Sequence, residues 1–478
     1  MMTETKQEQG CPGCAERDRR LAVLEERVAQ LEAALAQAQK NSSNSSKPPS
    51  SDIVRPKPKQ DKPGRPRKRR IGGQPGHPRH ERQQFAEHEL DGIKEWRHDA
   101  CPCCAGKLTD AGVAPIRTIQ QIEIVARPLR VEVHRVVGQW CPRCQKQFAQ
   151  ALPQDLVEAG LVRPRLTVLI GWFKGVCHMS ISGIHKFFRD VLGARVSKGL
   201  IAKVVNKVSA SLKDPYEELL NLLVSEERLN VDETGHKDNG RRWWTWCFRA
   251  LTYTLFKISP SRGSDVLMEV LGREFNGLLG CDYFSAYRKY MSLNENVALQ
   301  FCLSHLIRDV KFLVDHPDQR NRRHGERLLA LFRQLFHTIH RREDYASDAT
   351  FRRQLERLRN EICYHAGMEL PNTPEAGNLA ERFHLHVDSY FRFITEPGID
   401  PTNNLAEQAI RFVAIHRCLT QGTRGENGRR WFERIATVVV TCEQQGRSVF
   451  NYLCDAIAAH FGKSTAPSLV PEPAAAPP

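Results

Sequence analysis

Apolar and polar positions change their spacing several times along this chain, and those changes divide it. Leu21, Leu24, Val28, Leu31 and Leu35 fall at alternating steps of three and four with Glu and Arg between them, which predicts a helix with a heptad seam of under three repeats. A helix this short is marginal alone, so its seam either zips onto a second copy, the favoured reading, or packs on its own chain. From Asn41 to Arg70 the periodicity stops and Ser, Pro, Lys and Arg dominate, predicting a disordered linker. A turn-rich hinge follows at Gly72-Gly73-Gln74-Pro75-Gly76-His77-Pro78, and β-patterned runs appear at 117–124 and 131–137. Between Val162 and Leu223 the period becomes helical. Ile181–Leu192, a turn at Gly193–Val196 and a second helix N-capped by Ser197 fit a helix-turn-helix, and equally fit two packed helices feeding the next domain.

Beyond Arg228 the chain alternates strands and helices. Leu229–Thr234 reads as a short strand with Asp232 at its exit, followed by a turn at 236–240 and by strands at Trp243–Phe248 and Thr252–Phe256. A helix runs from Arg262 to about Leu271, and a strand from Asn276 ends in a second acid, Asp282. A fifth strand covers Val297–Cys302, and a helix begins at Leu303. This order matches an RNase H-like core, in which the first and fourth strands lie side by side and their two acids can share a cation. Glu233 points to the opposite face of its strand. After a helical insertion from Val314 to Glu396, a helix carries Asn403, Asn404, Glu407 and Arg411 on one face, and Glu407 is the third acid. Three carboxylates suit hard divalent cations, Mg²⁺ or Mn²⁺, two per active site and about 3.5–4 Å apart, as phosphodiester chemistry requires. Each acid taken singly also fits a solvated surface charge, with Glu407 simply paired to Arg411. His305 fits either the rim of the site or a cap on the insertion, and Asn403, Asn404 and Arg411 would support Glu407.

Charge and cysteine usage add partners. The 478 residues carry a net charge of +15, which suits a polyanion. Between Lys47 and Arg70 there are ten Lys or Arg against two Asp. Within that stretch Arg65, Arg67, Lys68, Arg69 and Arg70 form an AT-hook-like segment for the minor groove; general phosphate affinity is the broader reading. Lys198 and Lys203 would face DNA from the second helix of the helical pair. Of fifteen cysteines, Cys101, Cys104, Cys141 and Cys144 have the spacing of a structural zinc site, with Cys103 a bystander. Cys11 and Cys14 form a lone pair whose metal binding stays open. No run of about 18 apolar residues exists for a membrane span and the first residues are not a signal peptide, so a cytoplasmic, nucleoid-associated protein is expected.

The expected architecture is α/β and multi-domain: coiled coil 1–40, basic linker 41–80, zinc-binding β module 81–155 and helix-turn-helix-like region 156–224. An RNase H-like catalytic domain follows in two parts, 225–313 and 397–463, around the helical insertion 314–396, with a disordered tail at 464–478.

Several motifs recur together: Asn41-Ser42-Ser43-Asn44-Ser45-Ser46-Lys47-Pro48-Pro49-Ser50-Ser51-Asp52 after the heptads, Gly72-Gly73-Gln74-Pro75-Gly76-His77, and the two cysteine knuckles. Further on stand Asp232-Glu233-Thr234, Asp282 with Ala286-Tyr287, Cys302 with His305, and Asn403-Asn404-Leu405-Ala406-Glu407. Over nearly its whole length the chain resembles bacterial DDE transposases of the insertion-sequence-sixty-six family, the TnpC group. The resemblance implies catalytic roles for Asp232, Asp282 and Glu407, binding of the terminal inverted repeats and of target DNA, and DNA cleavage followed by strand transfer. It also implies a homo-oligomeric synaptic complex and small accessory proteins of the same element. Asp282-Tyr283-Phe284, Leu303-Ser304 and Gln408 depart from the family pattern without removing an acid. Two other functions use the same residues: a catalytically silent DNA-binding regulator, and an RNase H-like nuclease without strand transfer.

Overall fold

The computed structural model describes residues 12–40, 44–45, 84–95, 98–107, 119–122, 124–125, 128–143 and 145–470. Two units emerge, Pro58–Arg135 on one hand and Met1–Lys57 with Val136–Pro478 on the other. The basic segment with Arg65, Arg67, Lys68, Arg69 and Arg70, the hinge at 72–78, and Cys11 and Cys144 lie outside the described residues.

In the larger unit, α1 (Pro12–Ala38) is one uninterrupted helix. Its five seam residues are between 48% and 61% exposed among the described residues. In the smaller unit, Gln120 clamps the backbone of Phe85 with two bonds of 2.8 and 3.0 Å. The β-patterned runs at 117–124 and 131–137 form no strand among the described residues, and Ile119, Ile122, Val131 and Val133 are exposed. Alternation selects a strand's buried face, but a strand also needs a partner backbone, and none stands beside them there. A hairpin follows, β1 (Gln139–Cys141) pairing with β2 (Lys146–Phe148).

Helices come next: α2 (Gln154–Ala159), α3 (Pro164–Gly175), α4 (Ile181–Asp190), α5 (Lys198–Ser211) and α6 (Lys213–Leu222). The hydroxyls of Ser180 and Ser197 cap α4 and α5 by accepting the N–H groups of Gly183 and Leu200, which fixes where both begin. Ile201, Val204, Val205 and Val208 bury one face of α5, while Lys198 and Lys203 lie exposed.

The central sheet comprises β3 (Arg228–Asp238), β4 (Arg241–Arg249), β5 (Thr254–Ser259), β6 (Leu278–Cys281) and β7 (Ala298–Phe301), ordered β5-β4-β3-β6-β7. The first three strands are antiparallel and the last two join parallel; that is the RNase H-like arrangement. β3 runs past the expected turn. Asn239 and Gly240, both at positive φ, make a two-residue hairpin turn, and His236 and Asp238 remain strand residues. Asp238 is buried because Thr423, Arg429 and the Gly425 N–H all donate to it. Gly422, at φ +100, lies where a Cβ would collide with the Lys237 carbonyl, so the chain can lie against the hairpin there.

Connecting and covering helices are α7 (Ser264–Leu271), α8 (Ser285–Leu293), α9 (Leu303–Val314), α10 (Gln319–His340), α11 (Asp348–Gly367), α12 (Pro374–Thr395), α13 (Asn404–Thr420), α14 (Gly425–Gln444) and α15 (Val449–Gly462). The outer edge of β5 is closed by side chains of α14. Thr441 and Thr437 accept the Thr254 and Phe256 N–H groups at 3.1 Å each, and Glu433 accepts that of Ile258 at 2.7 Å. Residues spaced by four on a helix thus meet strand N–H groups spaced by two, and an edge open to stray pairing is sealed. On the opposite side, buried Gln300 of β7 donates to the Tyr390 carbonyl and accepts the Phe393 N–H, where α12 is kinked. Residues 464–470, expected as a tail, are instead tied down: Tyr452 donates to the Pro467 carbonyl, Gln445 to that of Leu469, and Leu469 is fully buried.

Candidate active site

Parallel pairing of β3 with β6 runs Arg228↔Leu278, Leu229↔Leu279, Asn230↔Gly280, and that of β6 with β7 ends at Cys281↔Phe301. Continued past the last paired residues, the same registers bring Asp232, Asp282 and Cys302 into one row across three neighbouring strands. That row lies at the C-terminal ends of the parallel strands, where open α/β sheets present ligand-binding crevices. Asp232 was expected at a strand exit. It is in fact mid-strand, because β3 continues along β4 alone, but it stands where the pairing with β6 gives out.

Asp232 and Asp282 are half-buried. One oxygen of each is held by backbone, Asp232 Oδ1 by the Glu233 N–H and Asp282 Oδ1 by the Phe284 N–H, both at 2.9 Å. Burial, followed by the charges of Glu233, Asp282 and Glu407, pushes Asp232 well above the usual carboxylate range. Burial also raises Asp282, with Asp309 and Glu407 adding to it against the Phe284 N–H and Arg262. Crowded negative charge of this kind is what a divalent cation offsets, and an all-oxygen donor set fits the hard cations.

Glu407, in the first turn of α13, lies near enough for its charge to act on both Asp232 and Asp282. Asn403 positions that turn: its side chain donates to the Val231 carbonyl and accepts from Asn230, both at 2.9 Å, and its N–H donates to Cys302 Sγ at 3.1 Å. Asn404 and Arg411 are exposed, and among the described residues Arg411 makes no ion pair with Glu407. Glu407 faces Arg308 Nη2 at 3.5 Å and His305 Nδ1 at 3.6 Å instead. His305 is thus at the site, and burial beside Arg308 lowers its pKa to about 4.

Sequence reasoning missed a layer beneath the acids. Glu233 does point away, as strand alternation requires, but into a buried network in which Arg262 donates at 2.8 Å and the Tyr287 hydroxyl at 2.5 Å. Burial and Asp282 raise Glu233 to about 7 against the pull of Arg262 and Tyr287. Arg262 also stacks on Phe284 and Trp244. A charged residue just before α7 was the available signal, but its partner is 29 positions away.

The described cysteines of the knuckles have one local turn in common. The Ala105 N–H bonds to the Cys101 carbonyl and the Gln145 N–H to that of Cys141, each at 2.8 Å, with positive φ at Ala105 and Gln145. The Cys103 and Cys104 N–H groups hold Cys101 below the ordinary thiol value, which favours thiolate.

A family model described as Transposase IS66 family matches residues 159–430. The chain belongs to that family. The matched span of this IS66-family protein runs from the end of α2 into α14, and it contains Asp232, Asp282, Cys302, His305 and Glu407. A family of unknown function (DUF6444) matches residues 15–83. The chain is also similar to an uncharacterized protein, y4qI, of Sinorhizobium fredii (strain NBRC 101917 / NGR234), 26% identical over 420 residues that cover 80% of this chain and 75% of the relative. No helix among the described residues is long and apolar enough to cross a membrane.

Proposed function

We propose that this IS66-family chain is a DDE transposase that binds the terminal inverted repeats of its element, cuts DNA there and joins the freed 3′-hydroxyl to target DNA. The observation that carries the reading is the approach of Asp232, Asp282 and Glu407, from two strands and a distant helix, closely enough for the Glu407 charge to raise the proton affinity of both aspartates and for Asp282 to raise that of Asp232. The chemistry supplied by two bound Mg²⁺ or Mn²⁺ ions is activation of the attacking oxygen and neutralisation of the departing one. Asp232 and Asp282 would hold the cations from the sheet and Glu407 from α13. Asn403 would keep Glu407 over the strands, with Arg308 and His305 facing its carboxylate. Lys198 and Lys203 on α5, with the basic segment Arg65, Arg67, Lys68, Arg69 and Arg70, would neutralise DNA phosphates. The seam of α1 would join copies in a synaptic homo-oligomer, with accessory proteins of the element as further partners. A structural zinc ion on Cys101, Cys104, Cys141 and Cys144 belongs to the same proposal, and a nucleoid-associated, cytoplasmic setting follows from the DNA substrate.

The test uses purified protein, linear DNA carrying the element's ends, and Mg²⁺ or Mn²⁺. Metal-dependent nicks and joined products are expected, and D232N, D282N and E407Q should each lose about 10³-fold in rate, equivalent to about 4 kcal/mol. Wild-type cleavage by D232N would overturn the site. Hydrolysis without joined product would indicate a nuclease, and binding without cleavage a silent regulator.

A further inference from the structure

The row formed by Asp232 and Asp282 ends in a residue of different chemistry. Cys302 follows β7, His305 lies in the first turn of α9, and Glu407 approaches from α13. One ligand atom of each lies within 4.8 Å of the other two. Cys302 and His305 are 2% and 9% exposed. His305 Nδ1 and Glu407 Oε1 are buried with no hydrogen-bond partner, and they face one another at 3.6 Å. Buried polar atoms in a folded protein are normally satisfied, and here two orphans lie within 4.8 Å of a third ligand atom. Sulfur, imidazole nitrogen and a single carboxylate oxygen are a donor set for zinc rather than magnesium.

We propose that Cys302, His305 and Glu407 form a site for one zinc ion beside the all-oxygen site. Ligand atoms around tetrahedral zinc lie roughly 3.5 Å apart, given Zn–N of about 2.0 Å and Zn–S of about 2.3 Å. His305 Nδ1 and Glu407 Oε1, at 3.6 Å, already have that spacing, and the separations to Cys302 Sγ need close by no more than roughly 1.3 Å. The Asn403 N–H already donates to Cys302 Sγ at 3.1 Å, a bond that a metal-bound thiolate keeps and that orients it. Three protein ligands leave the fourth position open. Because Glu407 belongs to both sites, zinc here draws one of its oxygens away from Asp232 and Asp282, and it antagonises Mg²⁺. The inference shares Glu407 with the function proposed above but holds whether or not DNA is cut.

The full-length protein, dialysed against zinc chloride, tests this by metal content, with cobalt(II) as the spectroscopic probe. The knuckle cysteines are present in every sample, so their contribution cancels. Wild type should hold one more zinc equivalent than C302S or H305A, and both variants should lose the same share of the cobalt–thiolate absorption. D232N should hold as much zinc as wild type. Equal zinc in wild type and H305A, with native circular dichroism, overturns the proposal; should C302S fail to fold, H305A decides alone. A D232N variant that still cut DNA would sink the transposase reading and leave this comparison standing.

Discussion

Asn403 shows how much one side chain can decide. Its amide joins α13 to β3 while its N–H meets Cys302, so three segments far apart in sequence converge on one buried residue. Replacing it by alanine strands the Val231 carbonyl and the Asn230 amide. N403A should lose about 1–3 kcal/mol in urea unfolding and lower kcat more than DNA affinity, because Glu407 is displaced while the basic surfaces are untouched. Glu233 makes a prediction about pH. Its folded pKa of about 7 lies above the ordinary 4.5, so its contribution to stability is fully present below about pH 4.5 and is lost as pH rises through about 7. E233Q, which cannot ionise, should therefore gain on wild type as pH is raised from 5 to 8 in parallel unfolding titrations. A constant difference would mean that Glu233 titrates normally. Three of the buried histidines carry the opposite sign: His236 and His305 are lowered to about 4 and His416 to about 3, each chiefly by burial. Their contribution is present above about pH 6.5 and lost as pH falls through 4.

At the scale of elements, the edge of β5 is the most informative. Glu433, Thr437 and Thr441 look like polar interruptions of an apolar helix, yet all three are buried and answer strand N–H groups. T437V keeps the shape and removes the acceptor for Phe256, so it should cost about 1–3 kcal/mol and speed exchange of that amide. Helix existence was legible locally: Ser197 is the expected cap, α9 begins at Leu303 as expected, and α7 begins at Ser264, two residues after the expected Arg262. The end of β3 was not legible. His236 and Asp238 look like turn residues until Thr423, Arg429 and Gly425, more than 180 positions away, are placed against them.

For the whole molecule, α1 and the row of acids pose different questions. Among the described residues, a seam of five apolar residues is left about half exposed, as heptad helices are before they pair. L24K/L31K should lower the mass measured by sedimentation while leaving the fold of residues 145–470 intact; an unchanged mass would assign self-association to another surface. The three acids illustrate what chain order can convey. Apolar strand runs nominated Asp232 and Asp282, and the helical period that puts Glu407 on one face with Asn403 and Asn404 nominated the third acid, because side-chain alternation and element order are local properties.

What the sequence determined by itself was therefore the type of the five strands of the central sheet, the candidate acids and the family resemblance, all of which depend on spacing along the chain. What tertiary structure alone decided was which groups face one another: Glu407 with Arg308 and His305 rather than Arg411, Glu233 with Arg262 and Tyr287, and α14 with the edge of β5. Those pairings join residues from 29 to about 190 positions apart. Burial and proximity, which no local pattern encodes, set both their hydrogen bonds and their charge states.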